Sequence, residues 1–446
     1  MTASQSAAQR LIVVGAGPKG LAIAAKAQVL RSVCADVPEV LLVDHQGIAE
    51  NWTGRFGYTD GRQQLATSPM KDIGFPYNST CWRDNNKVNV EMIQYSWHAF
   101  LTQRTGPKLS AFAEWVDRGF PSPSLKEWAK YLQWVFKSLD TQIDQRKVTR
   151  IHVRDRQWRI KVEDLRDSRN AEWLTGAGVV ITGPGTPLRL QGYDDNSLRF
   201  ANAENFWKRW PRMQTAIRRS SMQTEIAVIG DGGAAASVVT TLLSTSDRCR
   251  VTVITPSGVM LTRGESYDEN RHYSNPRDWP QINSLGRERF LRHTTLSVVS
   301  RAVKKILDQQ VNLSIICGQV DRLELKDADD KVWIHYKIDP PAGRTANYEE
   351  FDFVVVAIGF DAMWWAKNGI LTREAARLIR GSVSPNRITA KALGQLIEKD
   401  LSIHIAANGV TLPLHLPMMS STQGPGFPGL GCLGLLSDRI LKPYCD

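Results

Sequence analysis

The sequence is poor in the closely spaced residues that mark metal or disulfide chemistry. Its six cysteines, Cys34, Cys81, Cys249, Cys317, Cys432 and Cys445, are scattered and form no C-x-x-C pair. That argues against a zinc site and against the redox pair a disulfide reductase needs, and it points to a reducing compartment. The eight histidines show no metal-ligand spacing, so no metal is expected. No apolar run approaches the roughly 20 residues of a membrane span. The early run Leu11–Val14 reads as a first strand and not a signal peptide, so a cytoplasmic location is expected. Acidic residues are in deficit, 45 against 56 basic ones, for a net charge of +11. The cations are dispersed in short runs such as Arg301-Ala-Val-Lys304-Lys305, which suits solubility and the attraction of anionic cofactors, not a nucleic-acid groove.

Glycine, by contrast, stands where it carries chemistry. A β-type run, Leu11–Val14, enters Gly15-Ala-Gly17-Pro18-Lys-Gly20, and an apolar segment from Leu21 to Val33 follows. In such a strand–turn–helix, the first glycine permits the tight turn and the second lets the backbone approach a pyrophosphate. The third lets helix and strand pack closely. The helix N-terminus then faces the phosphates with unpaired N–H groups. A second strand, Val40–Val43, ends in Asp44, where an acid holds ribose hydroxyls. Mid-chain the pattern returns: Glu225–Ile229 enters Gly230-Asp-Gly232-Gly233-Ala-Ala235, and Arg250–Thr255 reads as the next strand. No acid ends that strand. An acid would repel a 2′-phosphate, so its absence leans towards NADPH, with Arg263 as the counter-charge or simply a solvated loop cation.

Two such units imply two nucleotides, FAD in the first and NAD(P)H in the second, so that hydride passes from nicotinamide to flavin. The expected fold class is α/β with two Rossmann-like dinucleotide-binding domains and a small C-terminal cap. The expected boundaries are 1–221 for the first part of the FAD domain, 222–354 for the NADPH domain and 355–446 for the return and cap. Phe351–Val356 followed by Ala357-Ile-Gly359-Phe360 reads as a buried strand and small-residue turn at that return. Residues 1–9 look like a disordered leader. Residues 51–125 show no clean period, and residues 126–138 read as a helix with Trp128, Tyr131, Leu132 and Val135 on one face. Residues 148–183 read as a strand meander.

Three further blocks are more specific: Thr67-Ser-Pro-Met-Lys71-Asp72-Ile-Gly-Phe75-Pro-Tyr77, Phe112-Ala-Glu-Trp-Val-Asp-Arg-Gly119, and Thr422-Gln-Gly-Pro-Gly426-Phe-Pro428. With them the chain resembles, over nearly its whole length, the flavin-dependent N-hydroxylating monooxygenases of siderophore assembly, most of all the mycobactin-type lysine N6-hydroxylases. The resemblance implies FAD, NADPH and O2, a C4a-hydroperoxyflavin as hydroxylating species, and L-lysine as the amine. It makes Lys71 the grip on the substrate carboxylate and Asn270 the residue that orients the substrate backbone. Thr295 falls at a further substrate position, and Trp52, Gln64, Gly359 and Gly426 join the glycine loops as cofactor contacts. Family members often form dimers or tetramers.

The chain also departs from the pattern. Ornithine-acting members carry Met-Gln before the Lys-Asp block, where Leu65-Ala66 stand here with Gln64 slightly early. They carry Arg where Leu125 stands and Asn where Thr295 stands. This weakens ornithine as substrate. An ornithine or diamine N-hydroxylase, a carbon- or sulfur-oxidising flavoprotein and a non-catalytic nucleotide-binding regulator remain the alternatives.

Overall fold

The computed structural model describes residues 10–445 apart from 35, 56–58, 104–109, 168, 246, 327–330, 339–344, 382–387 and 408. The expected leader, residues 1–9, lies outside the described residues.

The first glycine motif sits in a six-stranded sheet. Strand β1 (Arg10–Val14) is central and pairs in parallel with β2 (Glu39–Val43) on one side and Gly178–Ile181 on the other. Gln142–Asp144 extends the sheet beyond β2, and the antiparallel pair Val410–His415 and Ser402–Ala407 extends it beyond Gly178–Ile181. Both faces are covered, which is why β1 and β2 read as continuous apolar runs. Leu11 and Val13 pack on one side with helices α1 (Pro18–Leu30), α2 (Leu125–Lys137) and the C-terminal helix. Ile12 and Val14 face the other side, against Trp158 and Ile160 of a three-stranded antiparallel sheet spanning Lys147–Gly176. Helix α1 begins at Pro18, in the first turn, where its missing N–H costs nothing. In α2, Trp128, Tyr131, Leu132 and Val135 are buried as the sequence period requires.

The second motif sits in a five-stranded parallel sheet. β3 (Thr224–Ile229) lies between β4 (Cys249–Thr255) and Phe353–Val356; Leu313–Cys317 and Phe200–Asn202 form the edges. Helix α3 (Gly233–Thr245) covers one face. A three-stranded antiparallel sheet, Gln319–Phe351, covers the other.

The stretch 51–125 is not irregular throughout. Among its described residues it holds short helices at Asn85–Met92, Trp97–Thr102 and Ala111–Asp117. They are too short for a hydrophobic period to show. Side-chain caps mark them instead, with Asp84, Ser96 and Ser110 accepting from the N–H three residues on.

The C-terminal helix, Leu433–Leu441, packs across α1. Lys26 Nζ and Asp438 Oδ1 meet there at 2.6 Å, both almost wholly buried. Ser79 Oγ accepts from Lys26, and Trp82 Nε1 donates to Asp438. No helix among the described residues is long and apolar enough to cross a membrane.

Candidate active site

At the end of β1 the chain turns through Gly15, whose φ of +113° suits glycine alone. A side chain there would also strike Thr182, and one at Gly20 would strike the Gly15 carbonyl. Gly17 differs. A Cβ built on it meets nothing, so its backbone faces open space at the start of α1. Ala16 N–H donates to Asp44 Oδ2 at 3.0 Å and Gln46 N–H to Oδ1 at 3.0 Å. Asp44 thus braces the glycine turn, and each oxygen keeps a lone pair for a further donor. A cleft of about 310 Å³ opens here, lined by Gly15, Asp44, Gln46, Arg146, Gly183 and Gly185. Trp52 is not among its lining residues; it packs against the core in a short helix whose preceding residue, Ala49, donates to the Ala16 carbonyl. The open Gly17 backbone, the helix N-terminus and the acid at the strand end fit a dinucleotide.

The second cradle repeats this arrangement. Gly230 has φ +121°, and a Cβ there would strike the Ala357 carbonyl; at Gly232 and Gly233 it would meet nothing. Ala235 is wholly buried against the sheet, as the third glycine's place requires. Gly359, with φ +98°, accepts from Leu188 N–H just past the strand beside β3. Asp231, within the loop, went unread in the sequence. Its Oδ2 accepts from Thr255 Oγ1 at 2.5 Å and Ser257 Oγ at 2.9 Å, at the end of β4. Arg263 does not turn towards that strand end. Its guanidinium donates to the Ala66 carbonyl at 2.9 Å, because its backbone pairs with Val299 and carries the side chain to the Lys71 side. Its expected part as counter-charge for a 2′-phosphate has no support in these contacts.

Lys71 does not pair with Asp72. Asp72 turns inward and accepts from Gly74 N–H, Tyr77 Oη and Trp97 N–H, shaping the loop that presents its neighbour. Burial outweighs these donors and pushes its carboxyl up to about 6. Lys71 Nζ instead donates to Asn270 Oδ1 at 2.7 Å. It lies 5.9 Å from the ring centre of Phe75 and 5.7 Å from that of Tyr273. Burial lowers its pKa and the Arg263 charge adds to this, while the Glu265 carboxylate opposes it. Asn270 sits on helix α4 (Tyr267–Ser274), started by a capping box between Ser266 and Glu269. One turn later Tyr273 Oη reaches Thr294 Oγ1 at 2.8 Å and Thr295 Oγ1 at 2.7 Å. Thr295 therefore joins the Lys71–Asn270 site through Tyr273. Tyr273 was missed in the sequence, although its spacing from Asn270 sets both on one helix face.

The C-terminal block closes over α4. A side chain at Gly426 would strike Cys432 and crowd the Tyr273 carbonyl. Trp279 Nε1 donates to the Ser421 carbonyl and Arg287 to the Thr422 carbonyl. Lys19, in the first glycine loop, donates to the Pro428 carbonyl at 2.7 Å. Gln64 is exposed and bridges Ser124, while Leu125 N–H donates to the Gln63 carbonyl, so two of the departures from the family pattern are neighbours.

Two sheets, one wholly and one mostly parallel, each carrying an open glycine cradle at the end of a central strand that leads into a helix, define a two-nucleotide α/β protein. A family model described as L-lysine 6-monooxygenase/L-ornithine 5-monooxygenase matches residues 91–361, and the chain belongs to that family. It is 35% identical over 438 residues to the L-lysine N6-monooxygenase MbtG of Mycobacterium sp. (strain MCS), covering 97% of this chain and 94% of that protein. The MbtG of Mycobacterium tuberculosis (strain ATCC 25618 / H37Rv) is 34% identical over 443 residues, with the same coverage. Among solved structures, the lysine monooxygenase NbtG from Nocardia farcinica superposes with a TM-score of 0.80 at 34% identity, covering 97% of this chain and 98% of that one.

Proposed function

We propose that this chain is an FAD- and NADPH-dependent monooxygenase that hydroxylates the terminal amine of L-lysine, as a step towards a hydroxamate siderophore or related product. The observation that carries the amino-acid part is the Lys71 ammonium. It is half-buried, touches a neutral amide and two aromatic rings, and has no carboxylate partner among the described residues. An ammonium so placed suits a free carboxylate. The full-length likeness to proteins named as lysine monooxygenases supports lysine over ornithine.

In this reading the first cradle, with Gly15, Gly17, Pro18, Gly20, Asp44 and Trp52, holds FAD, and Gln64, Gly359 and Gly426 border it. Gly230, Gly232 and Gly233 hold the nicotinamide nucleotide, within a unit spanning about 222–354. FAD, when bound, supplies the oxygen-activating chemistry, with NADPH as hydride source and O2 as co-substrate. The chain's own residues position and desolvate. Lys71 anchors the carboxylate, Asn270 turns its amide to the substrate backbone, and Tyr273 with Thr295 walls the site. A lysine amine has a pKa of about 10.4 in water, so a site closed to water favours its uncharged, nucleophilic form. We place the enzyme in the cytoplasm, as a homodimer or homotetramer.

The test is direct. Purified protein should be yellow and should consume NADPH and O2 with L-lysine, and the product should be heavier by one oxygen atom in mass spectrometry. Full flavin loading without hydroxylamine from lysine, ornithine or putrescine would refute the reading. Turnover with ornithine alone would move the substrate within the family.

A further inference from the structure

A cavity of about 470 Å³ lies between the C-terminal helix, the segment that follows α4 and the turn at Lys399 and Asp400. Neither the glycine loops nor Lys71, Asn270 and Tyr273 line it, so it is separate from the sites described above. Four cations do line it: Arg277, Lys399, Arg439 and Lys442. None of the four has a carboxylate partner among the described residues. The two acids in the same wall are engaged elsewhere. Asp438 is taken by Lys26 and Trp82. Asp400 accepts from Ser402 N–H at 3.1 Å and Ser402 Oγ at 2.8 Å, and its Oδ2 lies 2.9 Å from His404 Nε2.

Arg439 is the telling member. It is half-buried, and burial lowers its pKa. Its guanidinium lies 4.5 Å from the ring centre of Phe427 and donates to the Gln423 carbonyl at 3.5 Å. A guanidinium carries five N–H donors, and removing its charge from water without a counter-ion is unfavourable. Lys442 Nζ is held 5.4 Å from the ring centre of Trp82, while Pro276, Leu435 and Pro443 give the cavity an apolar wall. Converging cations suit an acid group, and an apolar wall beside them suits a hydrocarbon body.

We propose that this cavity binds a small organic anion whose phosphate or carboxylate group meets Arg439 and the three outer cations, and whose apolar body lies on Pro276, Leu435 and Pro443. The site stands apart from the proposed function, since no substrate or nucleotide residue takes part in it.

The experiment uses the FAD-loaded full chain with NADP+ and L-lysine at saturation, which occupies the phosphate cradles and Lys71. Phenyl phosphate and benzoate are titrated by calorimetry, beside inorganic phosphate and phenol. Phenyl phosphate or benzoate should bind at a single saturable site, more tightly than inorganic phosphate or phenol; which of the two binds better identifies the acid group. Arg439→Met should weaken binding about 10- to 100-fold, as expected when hydrogen bonds to a charged group are lost. Lys399→Ser combined with Lys442→Ser, both at exposed positions, should weaken it about tenfold and reduce its dependence on salt. That double variant decides the question should Arg439→Met fail to fold. Absence of saturable binding, equal binding of phenol or inorganic phosphate, or affinity unchanged in the folded variants overturns the proposal. Binding that depends on these cations in a protein that hydroxylates no amine keeps this site and removes the proposed function instead.

Discussion

Lys71 Nζ and Asn270 Oδ1 lie 2.7 Å apart although 199 positions separate them in the chain. Lys71 comes from the loop after the first cradle, and Asn270 from α4, which follows the second. The contact joins the two nucleotide-binding halves through a charged donor and a neutral acceptor. A carboxylate entering the site gains a charge-assisted bond, since Glu265, whose charge acts on Lys71, makes no ion pair with it among the described residues.

Replacing Lys71 by Met should therefore raise the KM for lysine by about 10- to 100-fold, the range expected when a hydrogen bond to a charged group is lost. Flavin reduction by NADPH should keep its rate. Stopped-flow reduction beside steady-state kinetics separates the two, and a collapse of reduction would contradict the role. Asn270→Ala should act on the same parameter. The double variant should cost less than the sum, because the two residues share one ligand group.

The first glycine loop predicts two different failures. Gly15→Ala places a Cβ against Thr182 on a backbone with φ +113°, so the fold itself should weaken by about 1–3 kcal/mol. Gly17→Ala meets no protein atom, so the apoprotein should melt as the wild type does while flavin content falls. Thermal melts of apoprotein and flavin absorbance per chain distinguish these outcomes.

The buried Lys26–Asp438 pair fastens the C-terminal helix to α1. Lys26→Met leaves a carboxylate buried without its counter-charge and should cost about 3–5 kcal/mol. Lys26→Met combined with Asp438→Leu should recover part of that loss. Denaturant unfolding of the three variants measures it.

His415 gives the acid side of the stability profile. Its Nδ1 faces the Asp400 carbonyl at 2.8 Å and so donates, leaving Nε2 to accept from Tyr444 Oη at 2.9 Å. Burial pushes its pKa down to about 4 from an ordinary 6.5. The folded-state pKa is depressed, so the unfolded chain binds the proton first. The stabilisation is complete above pH 6.5 and is lost as pH falls towards 4, amounting to about 3 kcal/mol. Melting temperatures between pH 7 and 4 should fall more steeply in the wild type than in a His415→Asn variant.

Both glycine cradles, the strands that feed them and α2 were legible in the sequence, because each is a local pattern of period or spacing. A family block likewise marked Lys71, and the resemblance pointed to Asn270. Illegible were the short capped helices before residue 118, the role of Tyr273, the diversion of Arg263 to Ala66 and the arrival of Asp231 at the end of β4. By itself the sequence determined that two nucleotide folds form, since backbone turns and alternating burial depend on neighbours along the chain. Only the tertiary structure decided which charge meets which partner, because a side chain's partner is set by where distant backbones converge, and no periodicity encodes that.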